Sequence, residues 1–440
     1  MDKRKGIPHG VVFLIAGTGV VTLARAMTLS FLAIKLQQTF GLGPAMIGFL
    51  LGLGPLLGAL AAPFIGSLSD ITGRKAMLTV VLIALSLATV ALGLAETILV
   101  FCLAQCAAAV AVSIYGPISR ALMSDMCEEP VRLRYFSWRY TASNIGWAIG
   151  PLLGIAAGVV STPLFLGAAA VYATLALVLQ LLSVPSSICT GSDPSPKPVY
   201  LIASFKAAVR DRRLLYFIGG GTLLIAVHGQ WAATLAPYLV DNLAGGVEIF
   251  AYLVSINGVV VLSGNQCARR FIEGKGALTA LVTGCILLLV SQVGFLLSTG
   301  LVGLAISMVI FTMGEILVVP SEYMLVDGIS SAQNRGSYFG AHSISTIGSF
   351  VGPTLGGATL GILGGPAMFL LFAGFAAAGA LFFAAGTRMP PPKTRTRPGK
   401  PSSSWAGDVV QMRNGPVRSL LFLRMDNTPF SRPGIWRRVT

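Results

Sequence analysis

Two charged side chains stand deep inside long apolar runs: Arg25 in the run 11–34 and Glu315 in the run 301–326. A charge in the middle of a hydrocarbon layer costs roughly 2.5–3.5 kcal/mol on insertion scales, so each of these is expected to serve a pathway or a pairing. Polar neutral groups accompany them: Gln105 in the run 98–122, and His228, Gln230 and Trp231 in the run 214–240. The chemistry open to such a set is binding and proton transfer. Glu315 is the expected proton carrier, and Arg25 its partial counter-ion or an anchor for substrate. A static ion pair between the two is the plain structural alternative. His228 reads as a satisfied polar residue before it reads as a proton relay, and Glu322 and Asp327, nearer the end of their run, read as gate residues. The sequence holds no phosphate-binding glycine loop, no metal-ligand cluster and no nucleophile motif. Neither enzymatic nor ATP-driven chemistry is expected, and no cofactor or metal beyond a proton gradient.

The elements that must position these groups are membrane helices. Hydrophobic residues make up 54% of 440 positions, charged residues 11%, and the mean hydropathy is +0.79. A soluble domain carries about a quarter charged residues. Apolar runs fall at 11–34, 45–68, 77–96, 98–122, 141–160, 163–184, 214–240, 248–265, 277–298, 301–326, 337–360 and 366–387. Each is close to the length needed to cross a layer roughly 30 Å thick, where every backbone polar group needs an internal partner; that dictates helices. The expected fold is therefore an all-α membrane protein of twelve spans. Its six cysteines fit no zinc or disulfide spacing and read as packing residues.

The net charge of +15 is a matter of topology. Arg74 and Lys75 follow the second run, Arg132, Arg134 and Arg139 the fourth, and Lys206, Arg210, Arg212 and Arg213 the sixth; Arg269, Arg270 and Lys275 follow the eighth, and Arg335 the tenth. The opposite loops hold only Lys35. By the positive-inside rule both termini face the cytoplasm of a bacterial inner membrane, and no nucleic-acid partner is implied. The basic start of the chain resembles a signal peptide, but the apolar run resumes after Arg25 and an uncleaved first helix is expected.

The chain is also a duplication. Pro117, Leu122 and Asp125 recur as Pro320, Leu325 and Asp327; Arg132-x-x-Tyr135-Phe136 recurs as Arg335-x-x-Tyr338-Phe339. Gly146-x-x-x-Gly150-Pro151-x-x-Gly154 recurs as Gly348-x-x-x-Gly352-Pro353-x-x-Gly356, and the offset stays at 202–203 residues throughout. Two six-helix bundles follow, 1–187 and 214–387, joined by a cytoplasmic linker at 188–213 and trailed by a basic, disordered cytoplasmic tail at 388–440.

The loop after the second run reads Gly66-Ser-Leu68-Ser-Asp70-Ile-Thr-Gly73-Arg74-Lys75. It resembles, at every defining position, the signature loop between helices 2 and 3 of the major facilitator superfamily. Gly73 permits a tight reversal, and Asp70 would meet the positive N-terminus of helix 11, near Gly336, when the cytoplasmic side is closed. The two glycine–proline segments resemble that family's antiporter motif. The copy ending Gly356-Gly357 is complete, whereas Ile155 replaces the last glycine of the first copy. Glycines at i, i+4 and i+8 make a groove for close helix approach. The resemblance places helix 5 on helix 8 and helix 11 on helix 2, so these grooves are expected between the halves. It also implies that helices 1, 4, 7 and 10, which carry Arg25, Gln105, His228, Trp231 and Glu315, line a central cavity.

Two positions depart from drug–proton antiporters of the family: Gln105 stands where an arginine is usual, and Arg25 where helix 1 often has an acid. The function implied is secondary active transport by a monomer: proton-coupled efflux of a small amphiphilic molecule such as a drug or secreted metabolite. An importer or facilitator of a sugar or organic acid is the alternative on the same fold. A membrane receptor or membrane-embedded enzyme is the more distant one.

Overall fold

Apolar stretches without interior turn signals become helices, and glycine and proline decide where those helices stop or bend. The computed structural model describes residues 7–127, 129–182, 210–229, 231–330 and 335–390, with the backbone alone at 62–71, 129–130, 132–133 and 335–336. The surroundings of Gly66, the side chain of Asp70, residue Gln230, most of the expected linker and nearly all of the tail lie outside what is described. The first half runs α1 (His9–Leu29), α2 (Leu32–Phe40), α3 (Pro44–Thr72), α4 (Arg74–Leu94), α5 (Ile98–Asp125), α6 (Glu129–Ala156) and α7 (Thr162–Leu181). The second runs α8 (Arg212–Gly229), α9 (Leu235–Asn242), α10 (Gly246–Lys275), α11 (Ala277–Leu297), α12 (Leu301–Ile329), α13 (Arg335–His342) and, after a 3₁₀ turn at Ser343–Ile347, α14 (Gly348–Arg388).

Among the described residues nine helical segments are long and apolar enough to cross a membrane. One of them, Ser337–Arg388, is 52 residues long and is broken at Gly364, where φ is 82°. The stretches Glu129–Ala156 and 212–242 fall outside the nine, the first because polar residues such as Arg139, Thr141, Ser143 and Asn144 lower its hydropathy, the second because it is interrupted before Leu235.

The duplication is visible in the backbone itself. The described residues contain six glycines with positive φ: Gly41, Gly73, Gly158, Gly245, Gly276 and Gly364. They fall into three pairs, Gly41 with Gly245, Gly73 with Gly276 and Gly158 with Gly364, separated by 204, 203 and 206 residues. Each pair sits at the same turn of its half, where a left-handed residue reverses the chain and a β-carbon would be strained.

Packing repeats as well. Helix α1 lies on α6 as α8 lies on α14; α3 lies on α5 as α10 lies on α12; α4 lies on α5 as α11 lies on α12. The halves meet through α3 against α14 and α6 against α10, with α2 touching α9. Two large apolar cores result, with a smaller third one at Val261, Ala268, Ile272, Ala280, Ile316 and Leu317. Of the large ones, one is built wholly from residues between Val11 and Leu182, while the other centres on Leu214 to Phe383 and borrows Phe31 and Ile34, with Trp147, Ile155, Val159 and Val160 packed against it, from the first half.

Lys35 departs from the expectation that it sits in a loop. It is buried in α2, its Nζ donates to the carbonyl oxygens of Leu92 (2.7 Å) and Gly93 (3.3 Å), and it lies 4.5 Å from the Phe165 ring centroid. A lysine there satisfies the orphan carbonyls at the end of α4 and meets the negative end of that helix.

Candidate functional site: a cavity between the halves

The basic end of the molecule is knit within each half. In the first, the Arg74 guanidinium bonds Asp125 Oδ1 and donates to the Ala121 carbonyl at 3.3 Å, and Lys75 Nζ reaches the Leu182 carbonyl at 2.9 Å. These contacts tie the signature loop to the ends of α5 and α7. In the second, Asp211 caps α8 by accepting from the Arg213 backbone N–H at 2.9 Å, the Arg213 side chain at 2.8 Å and the Tyr338 hydroxyl at 2.8 Å. Burial opposes ionisation of Asp211, but these donors outweigh it and hold its carboxyl below the ordinary value of 3.8.

The opposite end is where the halves touch. Gln37 Nε2 donates to Asp241 Oδ1 at 2.6 Å. Phe31 and Phe49 meet Phe250 and Phe350 edge-on, with ring centroids 6.2 and 5.9 Å apart. The backbones come closest at Gly48. A methyl group there would stand 2.8 Å from the Pro353 carbonyl carbon and 3.2 Å from Gly357 Cα, with the Pro353 oxygen nearer still.

The glycine grooves correct the expectation that they lie between the halves. A methyl on Gly146, Gly150 or Gly154 would run into α1: the Gly19 carbonyl at 2.7 Å, the Ala26 methyl at 2.6 Å and the Met27 carbonyl at 2.8 Å, with the Phe31 ring just past the end of α1 at 2.7 Å from the last. Gly348 and Gly352 press in the same way on Thr222 and Ala226 of α8, and Gly356 on Phe372. The i, i+4, i+8 face therefore closes each bundle on itself. The inter-half contact falls to the neighbouring residues Pro353 and Gly357, and in the first copy Ile155 occupies the equivalent place and packs against the second core. Pro151 and Pro353 both lie inside their helices.

Between the closed end and the basic end lies a cavity of about 730 Å³. Its described walls include Arg25, Gln105, Ser113 and Arg120 from α1 and α5, Trp147 from α6, Trp231 from the break after α8, and Thr346, Ser349 and Pro353 from the α13–α14 region. Arg25, Gln105 and Trp231 were expected in this wall. The Arg25 guanidinium lies 5.5 Å from the Trp147 ring centroid, and its Nε is buried without a hydrogen-bond partner. The Gln105 Oε1 is likewise buried and unpartnered.

His228 and Glu315 are not among the wall residues. His228 stacks edge-on against Phe311 with centroids 5.9 Å apart. Glu315 Oε2 accepts from Asn257 Nδ2 at 2.9 Å, and the same amide reaches Thr312 Oγ1 at 3.0 Å. Among the described residues no ion pair joins Glu315 to Arg25. Glu322 sits within 3.0 Å of His342 Nε2, both side chains more than nine-tenths buried, with Gly221 directly against them.

A family model described as Major Facilitator Superfamily matches residues 14–346. The chain belongs to the major facilitator superfamily. Relatives share its length as well as its pattern. An uncharacterised MFS-type transporter, YqjV, of Bacillus subtilis (strain 168) is 29% identical over 369 residues, 83% of this chain and 89% of that protein. The multidrug resistance protein MdtH of Edwardsiella ictaluri is 27% identical over 376 residues, 82% and 86% of the two chains. A Na(+), Li(+), K(+)/H(+) antiporter of Planococcus maritimus is 25% identical over 361 residues, 74% and 84%. Among solved structures, the nucleoside transporter NupG superposes with a TM-score of 0.72 at 15% identity, over 87% of this chain and all of that one. A bacterial homologue of the human lysosomal transporter Spinster, inward-facing and unoccupied, gives 0.67 at 16%, over 86% and 95%. This member of the superfamily is thus a multi-pass membrane transporter and not an enzyme.

Proposed function

We propose that this transporter exports a small amphiphilic molecule from the cytoplasm in exchange for protons, by rocking its two six-helix halves about the cavity. The observation that carries the reading is Glu315: a carboxyl group halfway along α12 whose hydrogen-bond partner is a neutral amide. Such a group can take up and release a proton without breaking an ion pair. Family membership supports alternating access, and likeness to a multidrug resistance protein and a cation/proton antiporter supports efflux by antiport. The basic loops support twelve crossings with both termini in the cytoplasm of a bacterial inner membrane, so that the closed end faces outward and the cavity inward. Asn257 and Thr312 orient the Glu315 carboxyl, and Gln105 and the two tryptophans supply the surface on which an amphiphile rests.

The test uses inverted membrane vesicles acidified inside by respiration. Adding a transported amphiphile should collapse part of the pH gradient, and a protonophore should abolish its uptake. Uptake that persists under protonophore overturns antiport. In Glu315→Gln, substrate-driven proton release should vanish at normal protein level; unchanged release removes Glu315 from the coupling.

A further inference from the structure

The two charged residues in the described wall of the cavity are both arginines, Arg25 and Arg120. Neither forms an ion pair among the described residues. Arg139 lies near Arg120 and adds to the same field, bonded to the neutral hydroxyl of Ser119 at 2.7 Å. Three buried carboxyl groups of the second half are engaged elsewhere, Glu315 with Asn257, Glu322 with His342 and Asp211 with Arg213, and none of that half's carboxylates is in the described wall. The cavity therefore holds an excess of positive charge inside low-dielectric walls, which focus rather than screen it.

Such a chamber repels organic cations and concentrates anions. A guanidinium is also the side chain best shaped to grip an oxyanion through two parallel N–H bonds. Arg25 is prepared for that role, since its Nε is buried and unpartnered while its guanidinium lies over the Trp147 ring, 5.5 Å from the centroid. An incoming oxygen would satisfy that donor. The opposite demand, for an apolar body, is met by Trp147, Trp231, Leu29, Leu51 and Pro55. A volume of about 730 Å³ suits one drug-sized molecule.

We infer that the transported molecule is an organic oxyanion, an amphiphile bearing a carboxylate or sulfonate held by Arg25 and Arg120 with its apolar part against the tryptophans. This rests on the cavity being the transport site and names the substrate class for it. It also fixes the electrical sign of the cycle. Outward movement of an anion and inward movement of a proton both carry positive charge inward. An inside-negative potential therefore favours export by about fiftyfold per 100 mV for each charge moved.

The experiment uses three probes with one ring system: 2-naphthoate, 2-naphthylmethylamine and 2-naphthalenemethanol. Binding to the purified full chain in nanodiscs is read by calorimetry and by tryptophan quenching. Naphthoate should bind at least tenfold more tightly than either the amine or the alcohol. Arg120→Gln, at an exposed position, should weaken naphthoate by about tenfold to hundredfold, and Arg25→Gln by a similar factor with partial rescue in Arg25→Lys. Arg134→Gln, at an exposed arginine stacked on Trp138 outside the cavity, should change nothing.

Equal or tighter binding of the amine or the alcohol overturns the inference, as does naphthoate binding indifferent to both cavity arginines. Absence of naphthoate binding at millimolar concentration overturns it too. These outcomes are independent of proton coupling. An uncoupled carrier can still select the anion, and a proton antiporter can fail to, so the vesicle assay and the binding assay fail separately.

Discussion

Replacing Gly48 with alanine should drive the transporter out of the conformation described. At Gly48 the α3 backbone faces the α14 backbone, and the added methyl would stand 2.8 Å from the Pro353 carbonyl carbon, where ordinary contact begins at 3.4 Å. The obstructing atoms are main chain and cannot rotate away, so the two helices must separate by at least about 0.6 Å, and overpacking of this kind costs about 1–3 kcal/mol. That penalty applies only while the halves are closed at this end. In a two-state cycle it becomes a shift of about fivefold to 150-fold toward the conformation in which α3 and α14 have parted.

Spin labels at Thr39 and Asn242, exposed positions beside the Gln37–Asp241 bond, report the opening directly as a distance distribution. Gly48→Ala should move the population to the longer distance, and Gly167→Ala, with nothing within 4 Å of its added methyl, should not. A distribution in Gly48→Ala identical to that of the unaltered protein, at equal folding, would refute the assignment of this contact as the closed gate.

Two further outcomes follow from the polar clusters. Asp211→Asn removes a buried charge acceptor of three donors and should lower stability at neutral pH by about 1–3 kcal/mol. Because folding depresses the Asp211 pKa, its contribution is complete above the ordinary value of 3.8 and is lost as pH falls through the folded value. The gap in melting temperature between variant and parent should therefore close on acidification, and a gap that persisted there would exclude the charge as its cause. Gly221→Ala sets a methyl against Glu322 and 3.2 Å from His342 Nε2. It should split that pair, lowering thermal stability, while Gly374→Ala, which has open space, should be neutral in the same thermal scan. Equal melting of the two would show that the pair tolerates the intrusion.

Much of this architecture could be read from residue order alone. Hydropathy locates helices, and a repeat at 202–203 residues pairs α5 with α12 and α6 with α13 and α14. Arg25 and Gln105 stand out in the sequence because polar groups in apolar runs are costly and need a reason. Direction is harder. Glycines at i, i+4 and i+8 identify a groove, but not which helix fills it, and here the filler is α1 or α8 of the same half. Arg120 stands at the very end of the run 98–122, where a charge sits at the edge of the membrane without cost, and its place in the cavity wall appears only with the fold. Trp147 and Asn257 look like ordinary span residues, since their meaning depends on the arginine and the carboxylate that other helices bring to them. His342 gains a partner only when α13 swings beside α12.

The six left-handed glycines carry a consequence for how such a machine can keep its balance. Over time a chain can exchange almost every side chain and retain its architecture, provided the places where the main chain reverses stay in register. Matched reversals give the two halves nearly equal stretches between bends, 32 residues from Gly41 to Gly73 and 31 from Gly245 to Gly276, as the proposed rocking of one half against the other requires. In the rocking proposed above, that balance would rest on bare hydrogens at a few bends, whatever cargo the pocket between them takes.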